Sequence, residues 1–274
     1  MSDAAALLRA CALPPLEARI LLMHVLGWRR TELITRDRET LPQDAVARFE
    51  ALAARRSNGE PIAQLIGKRE FFGLEFDVTP DVLIPRPETE LLVELTLEAI
   101  ADASNPRVLD LGTGTGAIAI SIAHARPDAR VWAVDRSRAA LDVARGNASR
   151  LLKSGNVTFV ESDWTANIDP SLRFEAIVSN PPYIASGDPH LEQGDLRFEP
   201  RGALTDDADG LSAIRTIVDN APRLLAHDGA LWIEHGYDQA ESVRALLTAR
   251  GFSDVYSMRD LAGIERCSGG RFTA

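Results

Sequence analysis

Apolar positions recur three and four apart through residues 4 to 57, in runs such as LEARILLMHVLGW and DAVARFEALAARR. That spacing lines one face of a helix. Gly27, Thr31, Pro42 and the Asn58-Gly59 pair interrupt the pattern and predict a small bundle of short helices. The stretch EFFGLEFDVTPDVLIPRPETE then changes to β-favouring residues followed by Pro80, Pro85 and Pro87, which predicts a hairpin linker running into a new helix near Glu88 or Thr89. From residue 107 short apolar runs alternate with helical segments. RVLDLG, ARVWAVD, VTFVESD, FEAIVSN, ALWIEHG and FSDVYSM read as strands, with helices expected from about 116, from about 138, near 210 to 226 and near 238 to 250. Apolar strands separated by helices predict a largely parallel sheet covered on both faces. The expected fold class is α/β, with a helical region at 1–65, a hairpin linker at 66–87 and a catalytic α/β domain at 88–274.

Composition narrows the class of protein. In a chain of 274 residues, 45% are hydrophobic and 26% charged, and no apolar run reaches the roughly 18 residues needed to span a bilayer. A soluble protein with no membrane partner is expected. The opening MSDAAALLRA carries Asp3 and no basic segment ahead of an apolar core, so no secretory signal is read there. Cys11 and Cys267 are the two cysteines, which fits a reducing, cytoplasmic setting and no cysteine-based metal site. A formal net charge of −10 works against broad nucleic-acid binding, which depends on clustered Lys and Arg. The basic pairs Arg29-Arg30, Arg55-Arg56 and Lys68-Arg69 read as solvated helix faces or as a local partner site.

Candidate chemistry gathers at the ends of the predicted strands. In VLDLGTGTGAIAI an apolar strand runs into Gly112, Thr113, Gly114, Thr115 and Gly116, and a helix follows. Such glycines permit a tight turn and close approach of a ligand at the carboxyl edge of a sheet. Gly112, Gly114 and Ala117 also satisfy the dinucleotide pattern G-x-G-x-x-G/A, so the loop marks a nucleotide-like ligand without fixing a reaction. Asp135 ends the second strand, where a carboxylate can accept from ribose hydroxyls; a helix N-cap ahead of Ser137 is an equal reading. Asp163 and Trp164 end the third strand, offering an acceptor for an exocyclic amine and an aromatic face.

The fourth strand ends in SNPPY. Pro181 and Pro182 have no N–H to continue a ladder and hold the backbone in a stiff turn. Taken alone this is an ordinary strand exit. Beside a nucleotide-like pocket, it becomes a set of acceptors: the Asn180 side-chain oxygen and the Pro181 carbonyl can take the two N–H bonds of a planar nitrogen while Tyr183 packs on the flat group. That chemistry points to methyl transfer from S-adenosylmethionine to an amide or amino-substituted ring. His190 and His235 read as a loop residue and a strand end.

With these segments in view, the chain resembles the protein-(glutamine-N5) methyltransferases that modify class I peptide chain release factors. The resemblance is carried by GEPIAQLIGKREFFGLEF, LIPRPETE, LDLGTGTGAIAI, AVDRS, SDW, VSNPPYI and DPHLEQGDLRFEPRGAL, and covers nearly the whole chain. It implies a seven-stranded, mostly parallel, Rossmann-like methyltransferase sheet whose antiparallel last strand falls within GIERCSGGRFTA. S-adenosyl-L-methionine, leaving as S-adenosyl-L-homocysteine, would be held by Gly112 to Gly116, Asp135, Trp164 and Asn180, with Phe71 and Arg86 closing over it. The substrate glutamine would lie on Asn180, Pro181, Pro182 and Tyr183, with Asn180, Pro181 and Tyr183 carrying catalysis. The helical N-terminal region would recognise the release factor, whose Gly-Gly-Gln loop carries the target glutamine, the enzyme acting as a monomer without direct nucleic-acid contact. NPPY is shared with nucleic-acid adenine N6-methyltransferases, which stand as the alternative; an oxidoreductase using the glycine loop would leave NPPY without a role.

Overall fold

A computed structural model describes residues 3–153 and 155–273 of the chain; Ala274, which closes the segment expected to hold the last strand, lies outside them. The chain forms two compact units, one reaching from the N-terminus to Lys68 and taking in Gln193–Phe198, the other comprising Arg69–Glu192 and the chain from Glu199 onward.

The first unit is a bundle of α1 (Ala4–Ala10), α2 (Pro15–Leu26), α3 (Arg30–Thr35), α4 (Gln43–Ser57) and α5 (Ile62–Ile66). The Asp3 side chain caps α1 by accepting from the Ala6 N–H at 2.7 Å, and Gly27 ends α2 in the left-handed region at φ +66°. Leu7, Leu21, Leu22, Leu33, Phe49 and Leu65 meet in its core, which accounts for the three-and-four spacing. Several of the basic residues are committed internally. Arg56 donates to both oxygens of Glu17, at 2.8 and 3.0 Å, and to Asp195 at 3.1 Å. Arg55 pairs with Glu60, and Arg29 with Glu32 at 3.4 Å.

The second unit begins at Arg69, within the hairpin of β1 (Lys68–Phe71) and β2 (Leu74–Asp77). Its two linking residues, Phe72 and Gly73, both have positive φ, +51° and +73°, the handedness that suits a two-residue hairpin loop. A 3-10 turn at Pro87–Thr89 leads into α6 (Glu90–Ala99), followed by β3 (Arg107–Leu111), α7 (Ala117–Ala125), β4 (Arg130–Asp135), α8 (Arg138–Leu151), β5 (Val157–Glu161) and β6 (Phe174–Ser179). After short turns come α9 (Arg201–Leu204), α10 (Ser212–Asn220), β7 (Leu225–Glu234), α11 (Ala240–Ala249), β8 (Ser253–Arg259) and β9 (Glu265–Phe272). The helix expected to reach 226 stops at Asn220 instead. Pro222, with no N–H to give, sits in the 3-10 turn Ala221–Arg223 that follows, and the next strand starts earlier than its apolar core suggested.

Seven strands form one sheet in the order β5-β4-β3-β6-β7-β9-β8. The first five run parallel, and β9 lies antiparallel between β7 and β8. Side chains of alternating direction feed two cores. Val108, Val131, Ala176 and Val178 pack with α6 and α7, while Leu109, Leu111, Ile177 and Leu231 pack with α10 and α11. The chain leaves β3 toward β4 on one side and returns to β6 on the other, so the crevice beyond the carboxyl ends of β3 and β6 is where such sheets bind ligands. Leu111 and Ser179 are register partners there, and the Ser179 hydroxyl donates to the Leu111 carbonyl at 2.7 Å. This places Gly112 beside Asn180. Among the described residues no helix is long and apolar enough to cross a membrane, and Cys11 and Cys267 are both free thiols.

Candidate active site

The glycine loop is built by hydrogen bonds that only its backbone can make. The N–H groups of Gly112 and Thr113 donate to the Val134 carbonyl at 2.9 and 2.8 Å, and that of Gly116 to the Thr113 carbonyl at 2.8 Å. Gly116 enters α7 at φ +82°, and a Cβ there would stand 2.7 Å from Ile120 Cδ1 and 3.2 Å from Ala144 Cβ. Gly112, at φ +77°, has Trp164 Cζ3 and the Asn180 carbonyl within 4 Å of where its Cβ would be. Conformation favours glycine at both positions, and at Gly116 space requires it as well. Thr113 and Thr115 are buried and support the loop: the Thr113 hydroxyl donates to Asp110 Oδ2 at 2.6 Å, and the Thr115 carbonyl accepts from Asn147 Nδ2 at 3.0 Å.

Asp135 clasps the loop. Its Oδ2 accepts from the Gly114 N–H at 2.9 Å and its Oδ1 from the Ser137 N–H at 2.8 Å. The cap of α8 is Ser137, whose side chain accepts from the Ala140 N–H at 3.2 Å. Of the two readings of Asp135, the N-cap role therefore belongs to Ser137.

A cavity opens at this sheet edge, lined by Gly112, Gly114, Asp135, Asp163, Trp164, Asn180 and Pro182. Trp164 reaches it from a left-handed backbone, φ +49°, an uncommon conformation for a bulky residue and one that marks functional sites. Phe71 and Arg86 do not line the cavity. Phe71 is 1% exposed in the core, edge-on to Phe76 with ring centroids 6.1 Å apart. Arg86 pairs with the buried Glu199, whose carboxylate also accepts from the Ile84 N–H at 2.9 Å. Through Glu199 two segments are tied together, and their neighbours Asp81–Leu83, Pro200, Gly202 and Ala203 line the cavity as well, along with Val134, Arg136, Ser137, Ala140 and Ser162. The neighbours of Glu199 and its partners lie in connecting segments and in the single turn of α9, where no apolar periodicity marks a residue as cavity lining.

The acceptor corner follows β6. Asn180 Nδ2 donates to Thr89 Oγ1 at 3.1 Å, so the amide NH₂ is engaged and Oδ1 is the atom left to accept. Pro181 is buried and Pro182 lines the cavity. The Tyr183 hydroxyl donates to Glu234 Oε1 at 3.3 Å and its carbonyl accepts from Gln239 Nε2 at 3.0 Å. Burial, reinforced by the Glu234 charge, pushes the Tyr183 phenol well above its ordinary range, which leaves it a neutral packing surface rather than a base. Thr89, Glu234 and Gln239 are supports that sequence reasoning missed; each comes from a different element, and only the fold brings them to NPPY.

Behind the loop, Asp110 is buried with Oδ1 finding no partner among the described residues. Burial raises its pKa to about 7, the nearby Asp135 charge adding to the effect and the Thr113 hydroxyl opposing it. Glu234 is likewise raised to about 7 by burial. The native state thus holds protons that the unfolded chain releases near the ordinary carboxylate values. Stability is full below about pH 4 on this account and is lost as pH rises through about 7, at about 1.4 kcal/mol per pKa unit. Asp110→Asn removes one of the two titrations, and the fall in Tm between pH 5 and 8 should shrink by roughly half. An unchanged slope would show that Asp110 does not carry the proton.

The donor set fits S-adenosylmethionine. Positive-φ glycines leave the floor of the cavity open, Asp135 offers carboxylate lone pairs, Asp163 an acceptor, and Trp164 an aromatic wall. Residues 1–67 match the family model of the PrmC N-terminal domain and residues 88–194 that of the methyltransferase small domain. A methyltransferase from Pyrococcus furiosus shares the fold with a TM-score of 0.55 at 18% identity, over 81% of this chain and 98% of that one. The release factor glutamine methyltransferase of Burkholderia pseudomallei is 68% identical over 98% of this chain and 96% of its own length. That of Bordetella pertussis is 55% identical over 94% and 95%. Glycine loop, acidic second strand end and NPPY corner stand together on this scaffold, and relatives at these identities span nearly all of it: the chain belongs to the release factor glutamine methyltransferase family.

Proposed function

We propose that the enzyme methylates the side-chain amide nitrogen, N5, of the glutamine in the Gly-Gly-Gln motif of class I peptide chain release factors, modulating translation termination. One observation supports the choice of acceptor above the rest: an N–H of the Asn180 amide donates to Thr89, which turns the NH₂ to that side and leaves Oδ1 as the acceptor for an incoming N–H₂ group. An amide nitrogen is a poor nucleophile because its lone pair is delocalised into the carbonyl. Asn180 Oδ1 and the Pro181 carbonyl accept its two N–H bonds, aim it at the cofactor cavity and stabilise the positive charge that grows on it. When bound, S-adenosyl-L-methionine supplies an electrophilic methyl on a sulfonium sulfur. Tyr183 packs on the flat amide, and the surplus proton passes to water after methyl transfer, so no strong base is required beforehand.

An adenine amine would suit the same acceptors, but a nucleic-acid enzyme needs a basic track for the backbone. Here the formal net charge is −10, and Arg55 and Arg56 are held in ion pairs. In the proposed organisation residues 1–65 recognise the release factor, 66–87 form the linker and 88–274 carry catalysis. The enzyme acts in the cytoplasm as a monomer, with no direct contact to nucleic acid. Incubation with labelled S-adenosylmethionine and either a release factor or DNA tests the assignment: label is expected in the factor, and label in DNA alone would overturn it.

A further inference from the structure

We infer that Gln239 is a positioning residue for methyl transfer: its amide locks the peptide plane by which the chain leaves the NPPY corner, and so fixes how the Tyr183 ring meets the substrate amide. This rests on the proposed acceptor and deepens it.

Gln239 stands at the N-cap position of α11, yet its side chain makes no capping bond there. It is spent on three backbone groups instead. Oε1 accepts from the Gly236 N–H at 2.8 Å, while Nε2 donates to the Tyr183 carbonyl at 3.0 Å and to the Gly210 carbonyl at 3.3 Å. A backbone N–H can only donate and a backbone carbonyl only accept, so a flipped amide would lose all three bonds. One orientation is left. Gly210 makes room for it: at φ +81°, a Cβ there would stand 2.5 Å from the Tyr183 carbonyl oxygen and 2.9 Å from Gln239 Nε2. Gly210 is itself held by Asp206, whose Oδ1 accepts from the Gly210 N–H at 3.0 Å and whose Oδ2 accepts from the Ser212 N–H at 2.8 Å.

The plane so gripped is the peptide joining Tyr183 to Ile184. Gln239 holds its carbonyl, and its N–H, on the opposite edge, donates to the Leu204 carbonyl at 3.0 Å. Upstream, the rings of Pro181 and Pro182 fix their own φ. Between two prolines and a plane bonded on both edges the Tyr183 backbone has little freedom, and the ring it carries is aimed with it. The Tyr183 hydroxyl reaches Glu234 only at 3.3 Å, so the backbone grip, more than the phenol, sets the ring. None of Tyr183, Gly210 and Gln239 lines the cofactor cavity, which confines the effect to the acceptor side.

Two variants of similar length separate positioning from simple construction of the turn. Gln239→Met removes all three bonds; Gln239→Glu keeps the acceptor for Gly236 and sets an oxygen where the donor stood. Assayed at mildly alkaline pH, where the glutamate is ionised, both should lower kcat for release factor methylation by about ten-fold or more, with KM for the factor and Kd for S-adenosylmethionine unchanged and Tm confirming a folded enzyme. A residue that merely builds the turn ahead of α11 would tolerate glutamate, so wild-type kcat in Gln239→Glu would overturn the inference whatever Gln239→Met does. The second readout is independent of the acceptor: the Ile184 amide proton, on the far edge of the same plane, should exchange with solvent slowly in the wild type and faster in both variants. Unchanged exchange would likewise overturn the inference. If the wild type leaves the release factor glutamine unmodified, the proposed function falls, and exchange at Ile184 still decides whether Gln239 holds the plane.

Discussion

Asn180→Ala should lower kcat for glutamine methylation by about a hundred- to a thousand-fold, the usual effect of deleting one preorganised group that meets charge developing in a transition state. The affinity for S-adenosylmethionine should be largely kept. Asn180 lies on the cavity wall, yet the loop hydrogen bonds to Val134 and Asp135 are made without its side chain. What the substitution removes is Oδ1, the atom whose interaction with the amide N–H strengthens as nitrogen becomes positive. The loss therefore belongs in kcat and kcat/KM together, not in KM alone. Single-turnover kinetics at saturating cofactor, with calorimetry for binding, separate the two; turnover near wild type would remove Asn180 from the mechanism.

The second large effect falls on cofactor binding. Asp135 accepts from two backbone N–H groups, Gly114 on Oδ2 and Ser137 on Oδ1. A carboxylate satisfies both because it has no donor of its own. Asparagine cannot: whichever way it turns, its NH₂ meets one of those N–H groups. Asp135→Asn should consequently weaken S-adenosylmethionine binding on the order of a hundred-fold, about 3 kcal/mol, from a lost charge-assisted bond and a mis-shaped loop. Turnover at saturating cofactor should suffer far less. Calorimetric titration checks this, and an affinity within a few-fold of wild type would mean that the loop holds its shape without Asp135.

What the sequence revealed and what it withheld follow one division. Strand ends are legible because apolar runs locate the strands, and although Asp135 and Pro181 each admit an ordinary reading alone, Gly112, Gly116, Asp135 and Pro181 fall at ends of strands in one parallel sheet, where such folds bind ligands. The same reading overran at 210 to 226, where Pro222 made a break that apolar periodicity did not register. Phe71 shows a different limit. Its place over the cofactor was implied by the family resemblance alone, and here it is buried against Phe76. Thr89, Glu234 and Gln239 were beyond reach, because each supports NPPY across long separations in the chain. The return of Gln193–Phe198 into the first unit is equally tertiary: Gln64 Nε2 donates to the Phe198 carbonyl at 3.0 Å, a contact with no local signature.

The most direct test of the central claim is to locate the transferred methyl. A class I release factor incubated with the enzyme and S-adenosylmethionine should, by fragmentation mass spectrometry, carry one methyl on the glutamine of its Gly-Gly-Gln loop, and a factor with that glutamine replaced should carry none. A methyl found on another residue, or incorporation that persists unchanged after the replacement, would contradict the account.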